Sequence, residues 1–343
     1  MHTLSELRAG NLAGIKRLDL SCGLTEFPNE IFALADTLEI LNLSGNALTC
    51  LHDDLYKLYK LRVIFCSDNQ FTELPEALGR CVQLEMVGFK ANKIKHVPAA
   101  ALPSKLRWLI LTDNQISELP NELGACSRLQ KLMLAGNQLS ELPDLATCTL
   151  LELLRISANR LTKLPDWIFL LPRLAWLARA GNPCSDACEM TVTAKRVIAD
   201  IAWERLELQD KLGEGASGVI YRASQKLADT LLPVAVKVFK GEVTSDGLPR
   251  SEKSAAIAAG EHPNLIPVIG KISGHPEDEL GLVMSLIDQS FVNLAAPPSL
   301  ESCTRDIYAA DIKFTLANVL NIAFSIADVV AHLHAQGLMH GDL

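Results

Sequence analysis

Asn46, Asn69, Asn92, Asn114, Asn137, Asn159 and Asn182 follow one another at intervals of 22 or 23 residues. Apolar residues stand at fixed distances around each. Leu38, Leu41 and Leu43 precede Asn46 and Leu48 follows it; Leu106, Leu109 and Leu111 precede Asn114 and Ile116 follows it. An earlier unit, Ile15, Leu18, Leu20, Cys22 and Leu24, is one residue shorter, with cysteine in the asparagine's place. Leu-Pro pairs recur at 74–75, 119–120, 142–143 and 164–165. A unit this short cannot bury an apolar face alone, so successive units must stack. The first half is therefore expected to be a curved solenoid, with one short strand per unit along its inner face. The leucines are expected to be core, and each asparagine amide to satisfy backbone groups where the chain leaves the strand. Neither set is assigned to a site.

This pattern resembles leucine-rich repeats, and Gly181-Asn182-Pro183 closes the last one. Strand side chains alternate faces, so the outward positions follow from the register. One column is Arg17, Ile40, Val63, Met86, Trp108, Lys131, Leu153 and Trp176. The other is Asp19, Asn42, Phe65, Gly88, Ile110, Met133, Arg155 and Ala178. Val63, Phe65, Met86, Trp108, Ile110 and Met133 are expected to form one apolar patch. Such patches mark partner sites; cover by the chain's own second half, or a slipped register, are the alternatives.

Composition narrows the class. Hydrophobic residues make up 49% of the 343, which is the make-up of a folded chain. The net charge of −8 argues against nucleic-acid binding. No signal peptide is legible at the N-terminus, and no segment is read as a membrane span. The apolar stretch Leu316 to Leu333 is interrupted by Asn318, Asn321, Ser325, Asp328 and His332. Nine scattered cysteines are expected to be reduced thiols, as in a cytoplasmic protein. Cys184 and Cys188 lack a second pair, so no metal site is assigned.

The second half carries chemistry. Leu212-Gly213-Glu214-Gly215-Ala216-Ser217-Gly218-Val219 is followed by Val234-Ala235-Val236-Lys237. Glycines let backbone approach phosphates, and lysine opposes them with fixed charge. From Trp203 to the end the chain resembles protein kinases. The resemblance implies nucleotide contacts from Leu212, Gly213, Glu214, Gly215, Gly218 and Val219 of the loop, with Ala235 over the adenine. It makes Lys237 the phosphate-binding lysine and Glu252, on a helix over 248–260, its partner. Met284 would back the adenine pocket, and Ser285 and Ile287 would offer it backbone groups. Asp342, in His340-Gly341-Asp342, would be the base that orients the attacking hydroxyl, with Gly341 where the family has arginine. ATP and magnesium are the implied cofactors, and serine/threonine the implied specificity. The family's magnesium-binding Asn and Asp-Phe-Gly lie beyond Leu343, so the sequence is expected to be part of a longer kinase and inactive by itself.

The expected architecture is thus α/β. A leucine-rich-repeat solenoid (1–183) and a capping helix or linker (184–203) precede a kinase-like N-lobe and hinge (204–287), formed by an antiparallel sheet plus helix. An incomplete helical C-lobe (288–343) completes it. Two readings compete: a kinase whose repeats recruit a partner or substrate, and a non-catalytic scaffold with a relic nucleotide-binding fold.

Overall fold

The computed structural model describes residues 2–185, 198–215, 217–240, 248–297, 299, 302–303 and 306–339. The chain divides into two compact units, Met1–Cys184 and Ser185–Leu343, each described by itself.

In the first unit, α1 (Leu4–Arg8) begins with a capping box in which Thr3 and Glu6 satisfy each other's backbone N–H. Eight three-residue strands follow: β1 (Arg17–Asp19), β2 (Ile40–Asn42), β3 (Val63–Phe65), β4 (Met86–Gly88), β5 (Trp108–Ile110), β6 (Lys131–Met133), β7 (Leu153–Arg155) and β8 (Trp176–Ala178). They form one parallel sheet in sequence order. Short 3-10 turns, five of them entered from a proline, return the chain along the outer side. The register aligns the two outward columns as the period requires, Trp108 opposite Met86 and Lys131, and Ile110 opposite Gly88 and Met133. Between the two layers the apolar side chains are almost wholly buried, with Leu41, Ile64, Leu109 and Leu132 all at 0% exposure.

The asparagine ladder joins repeats as well as closing turns. Asn137 Nδ2 donates to the carbonyls of Leu111 (2.9 Å) and Leu134 (3.0 Å), while its Oδ1 accepts from Ile116 N–H (3.0 Å). Asn69, Asn114, Asn159 and Asn182 repeat this arrangement. The residue before each ladder asparagine turns through positive φ. It is glycine at 45, 136 and 181, but Asp68 (52°), Ala91 (53°), Asp113 (58°) and Ala158 (52°) in the other repeats. In the shorter first unit Cys22 does not replace the amide. Its side chain is exposed, and its backbone N–H is taken by Asn46 Oδ1 (3.0 Å). Burial holds Cys66 and Cys148 as thiols by pushing both above the usual range, Cys148 to about 11.

The outward columns differ from expectation in one respect. Of the six patch residues, Val63 (5% exposed), Met86 (3%) and Trp108 (9%) are buried, and Phe65, Ile110 and Met133 are half-exposed. Parallel strands lie about 4.8 Å apart, so large side chains on neighbouring strands shield one another. Phe65 lies across Gly88, where an added Cβ would meet its ring at 2.5 Å, and Lys131 Nζ sits 4.1 Å from the Trp108 ring centroid. Beside these columns runs a row of alternating charge. Lys16 pairs with Glu39 (3.0 Å), and Glu85 takes both Arg62 (3.1 Å) and Arg107 (3.3 Å).

The second unit is built on a six-stranded sheet. β9 is Ala199–Ala202, β10 Leu206–Glu214, β11 Gly218–Leu227, β12 Thr230–Phe239, β13 Val268–Ser273 and β14 Gly281–Ser285. The spatial order is β10-β11-β12-β14-β13-β9, antiparallel except for β9 beside β13. Residues 199–202, expected within the linker, are therefore sheet. A parallel edge partner leaves no local hairpin signal in the sequence. Val234, Val236 and Val283 form the centre of the small core. Among the described residues the unit also has the helices α2 (Pro249–Ala259) and α3 (Leu316–Ala335).

The expectation that no segment reaches membrane-spanning length is corrected by α3. At 20 residues and mean hydropathy 1.6 it is long and apolar enough to cross a membrane, by length and composition alone. Its interrupting polar residues recur at helical spacing and so collect on one stripe. His332 Nε2 donates to the Ala259 carbonyl (2.7 Å), and His262 Nε2 to Asp328 (3.1 Å). Asn321 and Ser325 line a groove beside Asn264 and Leu265. The helix packs through Ile322, Val329, Val330, His332 and Leu333, leaving Asn318, Asn321, Ser325 and Asp328 exposed, and Leu316 and Phe324 more than 70% so.

Candidate functional site

The site forms where three antiparallel strands and α2 converge. β10 and β11 are a hairpin whose register shifts twice between Leu208 and Gly213, and the connecting loop closes with Gly215 N–H donating to the Gly218 carbonyl (2.9 Å). The three glycines of the loop differ in their reasons. A Cβ on Gly218 would meet the Val238 carbonyl at 2.4 Å, so its smallness serves strand packing. At Gly213 and Gly215 a Cβ would meet nothing within 4 Å, and neither has positive φ. Nothing among the described residues requires glycine at those two positions. Their bare backbone faces open space, which suits the close approach of a ligand.

Lys237 lies on β12, paired with Ile220 and Leu282, with its side chain only 16% exposed. Glu252 of α2 forms an ion pair with it through Oε1. Burial raises the value of such a contact, since the effective dielectric is lower than water's. The ammonium also donates to Ser217 Oγ (3.0 Å) and sits 4.9 Å from the Phe239 ring centroid. Ser217 Oγ in turn donates to Glu252 Oε1 (3.4 Å), while Glu252 Oε2 is buried with no hydrogen-bond partner among the described residues. Glu214 is clamped from both flanks by Lys211 (2.7 Å) and Lys240. Hydrogen bonds from Lys211 and then Lys240 pull its carboxyl down to about 2, so it stays charged throughout the neutral and mildly acidic range.

Around this centre, Ala235 is buried opposite Met284 in the β12–β14 register, and Val219 lies opposite Val238. Leu212 (42%) and Ile287 (51%) are exposed. Ser285 N–H already donates to the Pro267 carbonyl (3.0 Å), so that residue can meet a base only through its carbonyl. The structure thus gathers the loop, Lys237, Glu252, Ala235 and Met284 about one sheet. Asp342, with His340 and Gly341, lies outside the described residues, as does Ala216. Sequence reasoning missed Ser217, Phe239 and Lys240. Phe239 had a signal, since alternation places it on the same side of β12 as Lys237. Ser217 had none, because its partners lie 20 and 35 residues away.

The glycine loop and the lysine fit the phosphates of a nucleotide. A metal ion is not supported in the same way: no group of three His, Cys, Asp or Glu among the described residues could hold one.

Residues 206–343 match the family model described as protein tyrosine and serine/threonine kinase, and residues 104–147 match that of leucine-rich repeats. The serine/threonine-protein kinase PITSLRE of Drosophila melanogaster is 25% identical over 142 residues, 41% of this chain and 14% of that protein. Cyclin-dependent kinase 11B of Rattus norvegicus is 26% identical over 142 residues, 41% of this chain and 29% of that protein. The chain therefore spans less than a third of these relatives. Among solved structures, the leucine-rich-repeat protein LIC12759 of Leptospira interrogans is 29% identical, covers 53% of this chain and 47% of its own, and has a TM-score of 0.48. This chain combines leucine-rich repeats with a protein kinase domain in one mixed α/β molecule.

Proposed function

We propose that the chain carries the nucleotide-binding part of an ATP-dependent serine/threonine protein kinase whose repeats recruit a protein partner or substrate in the cytoplasm. The observation that carries the reading is the Lys237–Glu252 ion pair beneath a glycine loop with two glycines open to solvent. ATP, when bound, supplies the phosphoryl group. Lys237 holds its phosphate oxygens, Glu252 orients the lysine, and Gly213 and Gly215 admit backbone N–H groups close to the phosphates. Ala235 and Met284 wall the adenine, with the Ser285 carbonyl at its edge. Asp342 takes the position of the base on sequence resemblance alone. Magnesium, which the family implies, is given no ligands among the described residues.

Calorimetric titration of the chain with ATP tests the reading. A dissociation constant between about 1 μM and 1 mM is expected, in the range of ordinary enzyme substrates; no heat at millimolar ATP would leave the scaffold reading in the lead. In a chain that also carries the magnesium-binding Asn and Asp-Phe-Gly, phosphoamino-acid analysis of phosphorylated substrate checks serine/threonine against tyrosine, and Asp342→Asn is expected to abolish the transfer.

Recruitment rests on the half-exposed row Phe65, Ile110 and Met133. Apolar side chains at the centre of a concave surface are the kind that anchor protein partners. Met133→Glu is expected to keep the melting temperature within about 2 °C, as a surface change does, and to strip co-purifying partners. Unchanged retention would remove the concave face from the reading.

A further inference from the structure

Among the described residues, three groups meet the ammonium of Lys237, whose side chain is 16% exposed. Glu252 Oε1, Ser217 Oγ at 3.0 Å and the Phe239 ring at 4.9 Å surround the ammonium, which has three N–H donors to spend. These three differ in how readily they yield. Glu252 brings a full opposite charge. Phe239 is buried at 2% and belongs to the same strand as the lysine. Ser217 brings only a neutral hydroxyl, from a loop whose Gly213 and Gly215 face open space. Its position is not a matter of side-chain rotamer alone, because Lys240 N–H donates to the Ser217 carbonyl (3.1 Å) and holds the backbone against the end of β12. The clamp of Glu214 by Lys211 and Lys240 holds the other side of the loop down.

Building on the kinase reading, we infer that the Ser217 hydroxyl is a place-holder for a phosphate oxygen at Lys237, and that nucleotide binds by exchanging one oxygen for the other. Ser217 acts through the lysine and is a positioning residue. Without nucleotide it satisfies a half-buried ammonium and, by donating to Glu252, ties the Lys237–Glu252 pair to the loop. A phosphate oxygen arriving at the ammonium takes over the hydroxyl's bond, and Glu252 keeps its own. No bond is made or broken covalently in this exchange. The hydroxyl's bond to Lys237 is lost when the phosphate enters, so it opposes binding by its own strength. It opposes only ligands that carry phosphate, since adenosine has nothing to offer the lysine.

The test is calorimetric titration of the 343-residue chain and its variants with ATP, ADP and adenosine. Ser217→Ala is expected to bind ATP and ADP about fivefold more tightly, the equivalent of one net hydrogen bond no longer displaced. Adenosine affinity is expected to stay within about twofold of wild type, below the effect of one hydrogen bond. Ser217→Thr, which keeps the hydroxyl, should match wild type, and Ser217→Cys, a weaker acceptor of similar size, should fall between. Equal or weaker ATP binding by Ser217→Ala overturns the exchange. So does an equal gain for adenosine, which would mean a loosened loop and no competition at Lys237. If the wild type binds adenosine but gains nothing from phosphates, the kinase reading of Lys237 fails and the exchange falls with it. Wild-type ATP binding without a gain in Ser217→Ala overturns the exchange alone.

Discussion

Lys237→Met is expected to weaken ATP binding by about 10- to 100-fold while adenosine binding changes little, because a hydrogen bond to a charged group contributes roughly 1.5–3 kcal/mol. Methionine keeps most of the stem and removes the charge, so the neighbouring packing of Ala235, Val236 and Val238 is disturbed least. Glu252 and Ser217 each lose a partner. Glu252 Oε1 is left with Ser217 alone, and the half-buried carboxylate has no cation against it. Some loss of stability should follow from that, and a thermal melt separates it from the loss of affinity. Glu252→Gln provides the complementary case. It keeps a hydrogen-bonding oxygen beside Lys237 but not the charge, so a smaller loss of ATP affinity is expected. An ATP affinity within about threefold of wild type in Lys237→Met, less than one charged hydrogen bond is worth, would show that the phosphates are held elsewhere.

Asn137→Ala is expected to destabilise the repeat unit by about 2 kcal/mol, since a buried group stranded without its partner costs roughly 1–3 kcal/mol. The alanine strands the N–H of Ile116, while the carbonyls of Leu111 and Leu134 lose one of two donors and keep Asn114 (3.1 Å) and Asn159 (2.9 Å). At 7% exposure of Asn137, water has little access to take over. For a unit of this size the loss corresponds to a fall in melting temperature of about 5 °C. Because stacked repeats gain stability from their neighbours, the damage should spread to both sides of the substitution and not stay in one turn. The equivalent change at the first ladder position, Asn46→Ala, should cost less, because the groups it serves at Cys22 and Leu24 lie nearer solvent. A loss below about 1 kcal/mol for Asn137→Ala, the size of an ordinary surface change, would mean that the ladder is decoration and the leucines alone hold the stack.

The repeat half was legible in unusual detail. Its eight strands and both outward columns follow from the period, because congruent units stacked in parallel can adopt only one register that keeps every leucine inside. The ladder followed as well, since asparagine alone among the recurring residues both donates and accepts. The reach of that amide into the preceding repeat was not legible, and neither was the first unit's solution of lending a backbone N–H in place of a side chain. The candidate nucleotide site was readable where its chemistry is local, at the glycine loop and the Val-Ala-Val-Lys strand. The edge strand Ala199–Ala202 was not, because its parallel partner Gly270–Ser273 is far along the chain and writes no pattern into the strand itself.

The sequence by itself determined the elements and the residues that carry their period. Spacing along the chain dictates which side chains share a face. Tertiary structure decided how much of each face remains open. Val63, Met86 and Trp108 stand on the outward column that alternation requires, yet neighbouring strands close over them. On α3 only the side of Ile322, Val329, Val330 and Leu333 is covered, and most of its other apolar residues stay open. Ser217 meets Lys237 and Glu252 only because a hairpin folds back over β12 and a helix approaches from below. Burial and mutual contact depend on what arrives from distant parts of the chain, and a local pattern holds no record of that.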